Sequence, residues 1–211
     1  MSSRFNRWII LLAISFFTAD TIAADLDTDS SLEQRLAYIK SISGQFVQKS
    51  VDSEGVEIDA SEGSFSVAKT AKLLWHVRLP IEQKIISNGS MLWIYDPDLD
   101  QVVVDVVDSK INSTPMGLFT QNPDQIDTHY TVVTKSTETI EYHLTAKNQS
   151  ALFKVMVIRF IDEAPVSISL IDSFNQKTDV TFSDLDLNVP LDDSTFEFSI
   201  PNGIDVIRND G

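Results

Sequence analysis

The chain has 211 residues, of which 43% are hydrophobic and 22% charged, and its 16 Lys and Arg against 31 Asp and Glu give a net charge of −15. Such an acidic surface repels phosphate backbones and anionic lipid headgroups, which excludes nucleic acid as an expected partner and disfavours passive adhesion to membranes. Cysteine is absent, which excludes disulfides, thiol catalysis, thiolate metal sites and a lipid anchor on cysteine.

The first 23 residues are typical of a secretory signal peptide. Arg4 and Arg7 precede an apolar run at residues 8–17, and small residues at 21–23 offer a cleavage site. A run of about ten apolar residues is too short to cross a bilayer as a helix, and a buried N-terminal core helix is the alternative. Cleavage leaves residues 24–211 as one exported domain with a net charge of −16, because the removed segment carries +1. Export without disulfides fits a bacterial periplasm.

A short amphipathic helix is predicted at the start of this domain. Ser30 and Glu33 have the spacing of a capping box. Leu32, Leu36 and Ile39 recur at i, i+4 and i+7, which places them on one face of a helix.

After Gly44 the pattern changes to short runs of β-type residues separated by turns. The predicted strands are residues 45–51, 63–67, 73–77, 84–87, 91–95, 101–107, 130–135, 139–145, 153–161, 166–172, 178–183 and 195–200. Asn88-Gly89 predicts a type I′ hairpin turn, whose two central residues both need positive φ. Many hairpin-spaced strands with few helices predict a mainly β (α+β) domain built on a single curved antiparallel sheet.

A helical segment interrupts the strands between residues 113 and 127. Thr114-Pro115 is typical of a helix start, and residues 123–126 can form a further helical turn. Met116, Leu118 and Phe119 form an apolar cluster with little chain on either side to bury it. We therefore expect these three residues to form a lid.

Several strands, such as Val155–Ile158, are apolar on both faces. Helices can cover one face of a sheet, and the other must line an interior cavity or be hidden in some other way. A curved sheet around an apolar cavity, covered by helices near residues 30–40 and 113–127, meets both requirements.

Signatures of catalysis and metal binding are sparse. There is no G-x-S-x-G, H-E-x-x-H or G-x-x-x-x-G-K motif, and His76, His129 and His143 lack metal-ligand spacing. The acidic ladders at residues 25–29 and 96–100 lack the glycine and glutamate of a calcium loop. We therefore predict no enzyme, metal or cofactor. A carboxylate pair for glycoside chemistry stays open, since so many acidic residues always offer candidates.

The stretch from Leu74 to Val102 carries the most specific pattern. It contains Leu74-Trp75, the run from Pro80 to Gly89, and Leu92-Trp93-Ile94-Tyr95-Asp96-Pro97-Asp98. This stretch closely resembles the LolA family of periplasmic carriers of outer-membrane lipoproteins. Further matches are the opening helix, Gln45–Gln48, Thr114-Pro115 and the ending at residues 196–206, so that the resemblance covers about residues 30–208.

The resemblance implies an unclosed β-barrel with a helical lid over an apolar cavity. It implies a monomer that takes triacylated lipoproteins from an inner-membrane ABC transporter of the LolCDE type and delivers them to an outer-membrane acceptor of the LolB type. The expected cavity residues are Leu36, Ile39, Leu73, Trp75 and Trp93, and the lid carries Met116, Leu118 and Phe119. A LolA-like module that binds or senses another lipid or a peptide is the first alternative, and an enzyme on the same scaffold is the second.

One departure from the family concerns the lid latch. LolA-like proteins usually carry Arg-Pro six and five residues before the motif tryptophan, and that Arg hydrogen-bonds the lid. Lys69 and Thr70 stand at these positions here. Lysine keeps the charge but loses the planar five-donor fork, so the resemblance implies a latch at Lys69 that is looser or differently connected. A solvated charge at a strand end is the alternative for Lys69.

Overall fold

The computed structural model describes residues 30–107, 116–120, 122–136, 138–148 and 151–208. The strands are β1 (Ser41–Val51), β2 (Glu57–Ala68), β3 (Lys72–Leu79), β4 (Gln83–Asn88), β5 (Met91–Asp96), β6 (Gln101–Val106), β7 (Tyr130–Ser136), β8 (Ile140–Ala146), β9 (Phe153–Ile161), β10 (Ala164–Asp172), β11 (Lys177–Leu187) and β12 (Asp205–Arg208). The helices are α1 (Leu32–Tyr38), α2 (Gly117–Thr120) and α3 (Ile126–His129), with 3-10 turns at Pro123–Gln125 and Asp193–Phe196. The predicted signal peptide and Thr114-Pro115 lie outside the described residues. None of the described helices has the length and apolar character needed to span a bilayer.

The twelve strands form one sheet in the order β12-β6-β5-β4-β3-β2-β1-β11-β10-β9-β8-β7. Neighbouring strands are antiparallel, as hairpin connections require, except that β12 runs parallel to β6. In the described part of the chain β7 and β12 are the two edges and do not pair with each other, so the sheet curls without closing. The predicted mainly β fold with an unclosed, curved sheet is confirmed.

The inner face of the sheet carries the main apolar core, and α1 covers part of it. Leu32, Leu36 and Ile39 are each at most 1% exposed, as the amphipathic pattern predicted. The capping box lies one residue later than predicted. It joins Ser31 and Gln34, whose side chains each accept a hydrogen bond from the other's backbone N–H, at 3.3 and 2.8 Å.

The outer face carries a second apolar cluster made of Ile86, Trp93, Val102 and Val104. The chain after β11 folds over this cluster and packs Phe198, Ile200, Ile204 and Val206 against it. The strand predicted at residues 195–200 was wrong, because Asp192 caps a 3-10 turn there by accepting the N–H of Ser194 at 2.8 Å. The alternating apolar residues of this segment pack on a sheet face instead of pairing at an edge.

The hairpin between β4 and β5 turns on Gly89 and Ser90, so the predicted type I′ turn on Asn88-Gly89 was wrong. Of the predicted pair only Gly89 has a positive φ, +95°. The Asn88 side chain instead accepts the N–H groups of Ser90 and Met91, at 3.0 and 2.9 Å. A Cβ on Gly89 would lie 2.6 Å from the carbonyl oxygen of Thr70, so glycine is needed for the turn and for the close approach.

Helix α1 is fixed to the sheet by Arg35, which is 1% exposed. Its Nε donates to the hydroxyl of Tyr142 at 2.7 Å, and its Nη1 donates to the carbonyl oxygen of Asp162 at 2.6 Å. The Tyr142 hydroxyl donates in turn to the carbonyl oxygen of Ser30 at 2.5 Å, and the guanidinium lies 5.5 Å from the Phe160 ring centroid. A buried cation satisfied in this way holds α1 in one position.

We expect Tyr142→Phe to lower the free energy of unfolding by about 1–3 kcal/mol, because it removes the hydroxyl that bonds the buried Nε of Arg35 and the partly buried carbonyl group of Ser30. Urea unfolding measures the effect. The matched control is Tyr38→Phe, which removes a hydroxyl from an exposed ring of α1 and should change stability by less than about 0.5 kcal/mol. Equal losses in the two variants would contradict this account of the anchor.

Candidate functional site

A cavity of about 500 Å³ lies on the inner face of the sheet, between strands β1 to β5 and the residue that precedes α2. Its apolar wall consists of Leu73, Trp75, Val77, Ile85 and Met116. The other lining residues, which we call the mouth, lie on several elements: Gln48 on β1, Asp59 and Ser61 on β2, Pro80 and Ile81 in the turn after β3, Gln83 on β4 and Asp96 at the end of β5. The volume lies within the range of about 300–1,000 Å³ that is usual for small-ligand sites.

The wall is built by the alternation of β3. Leu73, Trp75 and Val77 point inwards, and Ile85 is the cross-strand partner of Trp75 on β4. The Trp75 ring stacks on Phe46, with 3.7 Å between ring centroids and 21° between planes, and Phe65 lies 5.9 Å away. Phe46 and Phe65 are at most 2% exposed, whereas Trp75 is only partly buried and presents its free surface to the cavity.

The structure brings seven of the eight predicted cavity and lid residues into one cluster. Leu73, Trp75 and Met116 line the cavity, and Leu36, Ile39, Leu118 and Phe119 pack within the same cluster without lining the cavity. Trp93 is the exception, because it points to the opposite face of the sheet and packs against Phe198 with 6.3 Å between ring centroids. The expectation that Trp93 lines the cavity is therefore corrected. Strand β5 alternates, and Leu92 takes the inward position.

Val77, Ile85, Ile81 and the polar residues of the mouth were missed in the sequence analysis. The signal for Val77 was present, since it continues the alternation of Leu73 and Trp75. Ile85 required the pairing register between β3 and β4, which the hairpin turn determines and the residue pattern does not.

Lys69 joins the two parts of the helical cover. Its Nζ donates to the carbonyl oxygen of Leu36 in α1 at 2.8 Å and to that of Phe119 in α2 at 3.2 Å. The family's latch position thus contacts both helices here, and the charge is half-buried against carbonyl groups. Burial lowers the pKa of Lys69 from 10.5 to about 8, with a smaller contribution from the neighbouring charge of Lys40.

The turn that carries Lys69 has a backbone in which proline does not fit. Thr70 and Ala71 have φ angles of +65° and +57°. Proline is confined to φ near −65°, so the proline of the family's Arg-Pro pair could not occupy position 70 in this turn. The turn is supported from β4, where the Ser87 hydroxyl donates to the carbonyl oxygen of Ala71 at 2.6 Å.

Comparison with known proteins gives one consistent family. Residues 37–199 match the family described as "Outer membrane lipoprotein carrier protein LolA". The outer-membrane lipoprotein carrier protein of Chromohalobacter salexigens is 30% identical over 206 residues, which cover 97% of this chain and 98% of the relative. That of Alcanivorax borkumensis is 34% identical over 184 residues, which cover 86% and 88%. In fold, the chain is similar to the crystal structure of an uncharacterized conserved protein from Thermus thermophilus, with a TM-score of 0.54 at 10% identity, covering 85% of this chain and 100% of the other.

We expect Trp75→Ala to weaken the binding of an uncharged fluorescent acyl probe about tenfold, because the exposed part of this ring is the largest aromatic surface of the cavity wall. The matched control is Trp93→Ala, which removes the same side chain from the outer face. It should lower stability by about 3–5 kcal/mol and leave probe affinity within about twofold of wild type. Probe titrations with folding checked by near-ultraviolet circular dichroism decide this, and a similar loss of affinity in both variants would contradict the assignment of the site.

A second prediction concerns pH. If ligand binding opens the lid and hydrates Lys69, its pKa returns from about 8 towards 10.5. Between these values the closed form binds fewer protons than the open form, so rising pH favours the closed form and weakens the binding of a ligand that opens the lid, such as a triacylated lipoprotein, by at most about tenfold per pH unit. In Lys69→Arg this pH dependence should disappear, since arginine stays protonated throughout. Identical pH profiles for the two proteins would rule out titration of the latch.

Proposed function

This chain belongs to the LolA family of outer-membrane lipoprotein carrier proteins, and we propose that it shields the acyl chains of lipoproteins in the periplasm between the inner and outer membranes. It is a carrier and not an enzyme, and its work consists of binding and release. The observation that carries the proposal is an apolar cavity beside two helices, α1 and α2, that one lysine joins.

The physical need for such a carrier follows from the hydrophobic effect. Exposing one acyl chain of about 16 carbons to water costs on the order of 12 kcal/mol, at about 0.8 kcal/mol per methylene. Unassisted crossing of an aqueous compartment is therefore negligible. A carrier has to cover the chains and still release them, which a movable cover over a preformed apolar wall allows.

The closed cavity is too small for a complete lipoprotein anchor. If a methylene fills about the 30 Å³ of a water molecule, one chain of 16 carbons needs about 500 Å³ and three chains need about 1,500 Å³. The cavity holds about 500 Å³. We propose that uptake of a triacylated cargo moves α2 away from the sheet, which would break the hydrogen bond from Lys69 to the Phe119 carbonyl group.

The latch then supplies a driving force for release. In the structure the ammonium of Lys69 has both carbonyl partners. We propose that a bound cargo separates them. Cargo binding is weakened by the free energy of the lost contacts, which is regained when the acyl chains leave. A carrier that passes its cargo onward benefits from this arrangement.

We further propose that the donor is an inner-membrane ABC transporter of the LolCDE type and the acceptor an outer-membrane protein of the LolB type. The segment at residues 1–23 would direct the chain to the periplasm. The turns at the end of the sheet near the cavity mouth are apolar enough to support transient docking. Each of the five carries an exposed apolar side chain, namely Val56, Ile81, Leu99, Leu152 and Phe174.

We expect Lys69→Leu to accept lipoprotein and to release it more slowly than wild type, because the closed form loses its latch. A loss of about 1.4 kcal/mol from the closed form corresponds to a tenfold slower hand-over. The measurement is the rate of transfer from the loaded carrier to an acceptor. Lys49→Leu is the matched control, since it removes an exposed lysine paired with Glu57 and away from both helices. Release at the wild-type rate by Lys69→Leu would show that Lys69 is not the latch.

A further inference from the structure

The charged side chains that line the mouth of the cavity are all negative. The polar side chains that line it are Gln48, Asp59, Ser61, Gln83 and Asp96. Two of them are carboxylates, and lysine, arginine and histidine are all missing from the residues that line this cavity in the described part of the chain. A ligand head held at the mouth therefore meets negative charge and neutral hydrogen-bonding groups.

The alternation of the strands produces this separation of charges. On β3, Trp75 and Val77 point into the cavity, while His76 and Arg78 point to the outer face and bond Glu82 and Gln45 there. The neighbouring strands behave in the same way. Gln83 lines the cavity while Lys84 bonds Glu82 at 3.2 Å, and Gln48 lines it while Lys49 bonds Glu57 at 2.5 Å.

The two carboxylates of the mouth form no ion pair within the part of the chain that the structure describes. Asp59 Oδ2 accepts only a long bond of 3.5 Å from the Gln48 amide, and Asp96 Oδ1 accepts the N–H of Leu99 at 3.3 Å. Neither forms an ion pair with a cation of the described chain. Both carboxylates thus remain available to a charge carried by a ligand.

We propose that the mouth is a charge filter, which admits the chain of an amphiphile with a cationic head and disfavours one with an anionic head. This inference rests on the proposed function, because it concerns the same cavity. The closed cavity matches one acyl chain in volume, so single-chain amphiphiles are the ligands that test it without opening the lid. Free fatty acids and anionic lipids would be kept out, which leaves the cavity free for cargo. Cargo with basic residues next to its lipid would be favoured.

The test compares three probes with a twelve-carbon chain below their micelle concentrations: dodecyltrimethylammonium, dodecyl maltoside and dodecyl sulfate. Each displaces an uncharged fluorescent acyl probe from the full mature chain at low salt, where screening is weak. We expect the cation to bind about tenfold more tightly than the anion, with the neutral probe between them. Asp59→Asn and Asp96→Asn should each reduce this ratio about threefold, which is the size expected of a partly exposed charge pair.

The matched control is Asp98→Asn, which removes one negative charge from an exposed turn beside the mouth and outside its lining. It should leave the ratio of cation to anion affinity unchanged. An unchanged ratio would show that the preference comes from the carboxylates of the mouth and not from the overall negative charge of the protein. A ratio that falls equally in all three variants, or a wild-type ratio near one, would overturn the filter while leaving the cavity established by the neutral probe. Failure of all three probes to displace the fluorescent ligand from folded protein would instead refute the acyl-binding function itself.

Discussion

The need to cover both faces of one sheet governs this structure. Twelve strands that curl without closing present two surfaces, and each carries a cluster of large apolar side chains. If either cluster were exposed to water, the fold would lose the free energy that apolar burial contributes. The outer cluster is covered by the chain's own C-terminal segment, and the inner one by α1 and α2. The cavity is the part of the inner face that these two short helices cannot reach.

The chemistry of the proposed latch suits a contact that has to break. Lys69 bonds two backbone carbonyl groups and, among the residues that the structure describes, no carboxylate. Separating a half-buried ion pair would leave two charges to be solvated. A carbonyl oxygen is neutral, and it replaces its hydrogen bond to an ammonium with one to water more easily. Burial of the ammonium lowers the pKa of Lys69 to about 8, which means that the closed form already holds the charge at some free-energy cost. The latch therefore favours closure only weakly, as a carrier requires.

The sequence predicted the sheet, nearly all of its strands and the inner cluster, because alternating and helical periodicities report directly which residues are buried. It did not predict which face of β5 would meet the cavity, since Leu92 and Trp93 are both apolar and only the register of the curled sheet distinguishes them. The segment around Phe198 was misread for a related reason. Alternation describes an extended chain, whether it pairs at an edge or lies across a face. The acidic mouth was not predicted, because its two carboxylates, Asp59 on β2 and Asp96 at the end of β5, line one cavity only through the order of the strands in the sheet.

The floor of the cavity and α2 are held to the fold in different ways. The floor is a hydrogen-bonded sheet on which Trp75 stacks against Phe46, and α1 is fixed to it by the buried bonds of Arg35. Next to α2, Met116 contributes its apolar side chain to the wall that acyl chains would occupy. Cargo therefore replaces one set of apolar contacts with another, and the affinity depends on the difference between them instead of on the whole buried area. A cover that competes with its own cargo keeps that difference small enough for the acyl chains to leave.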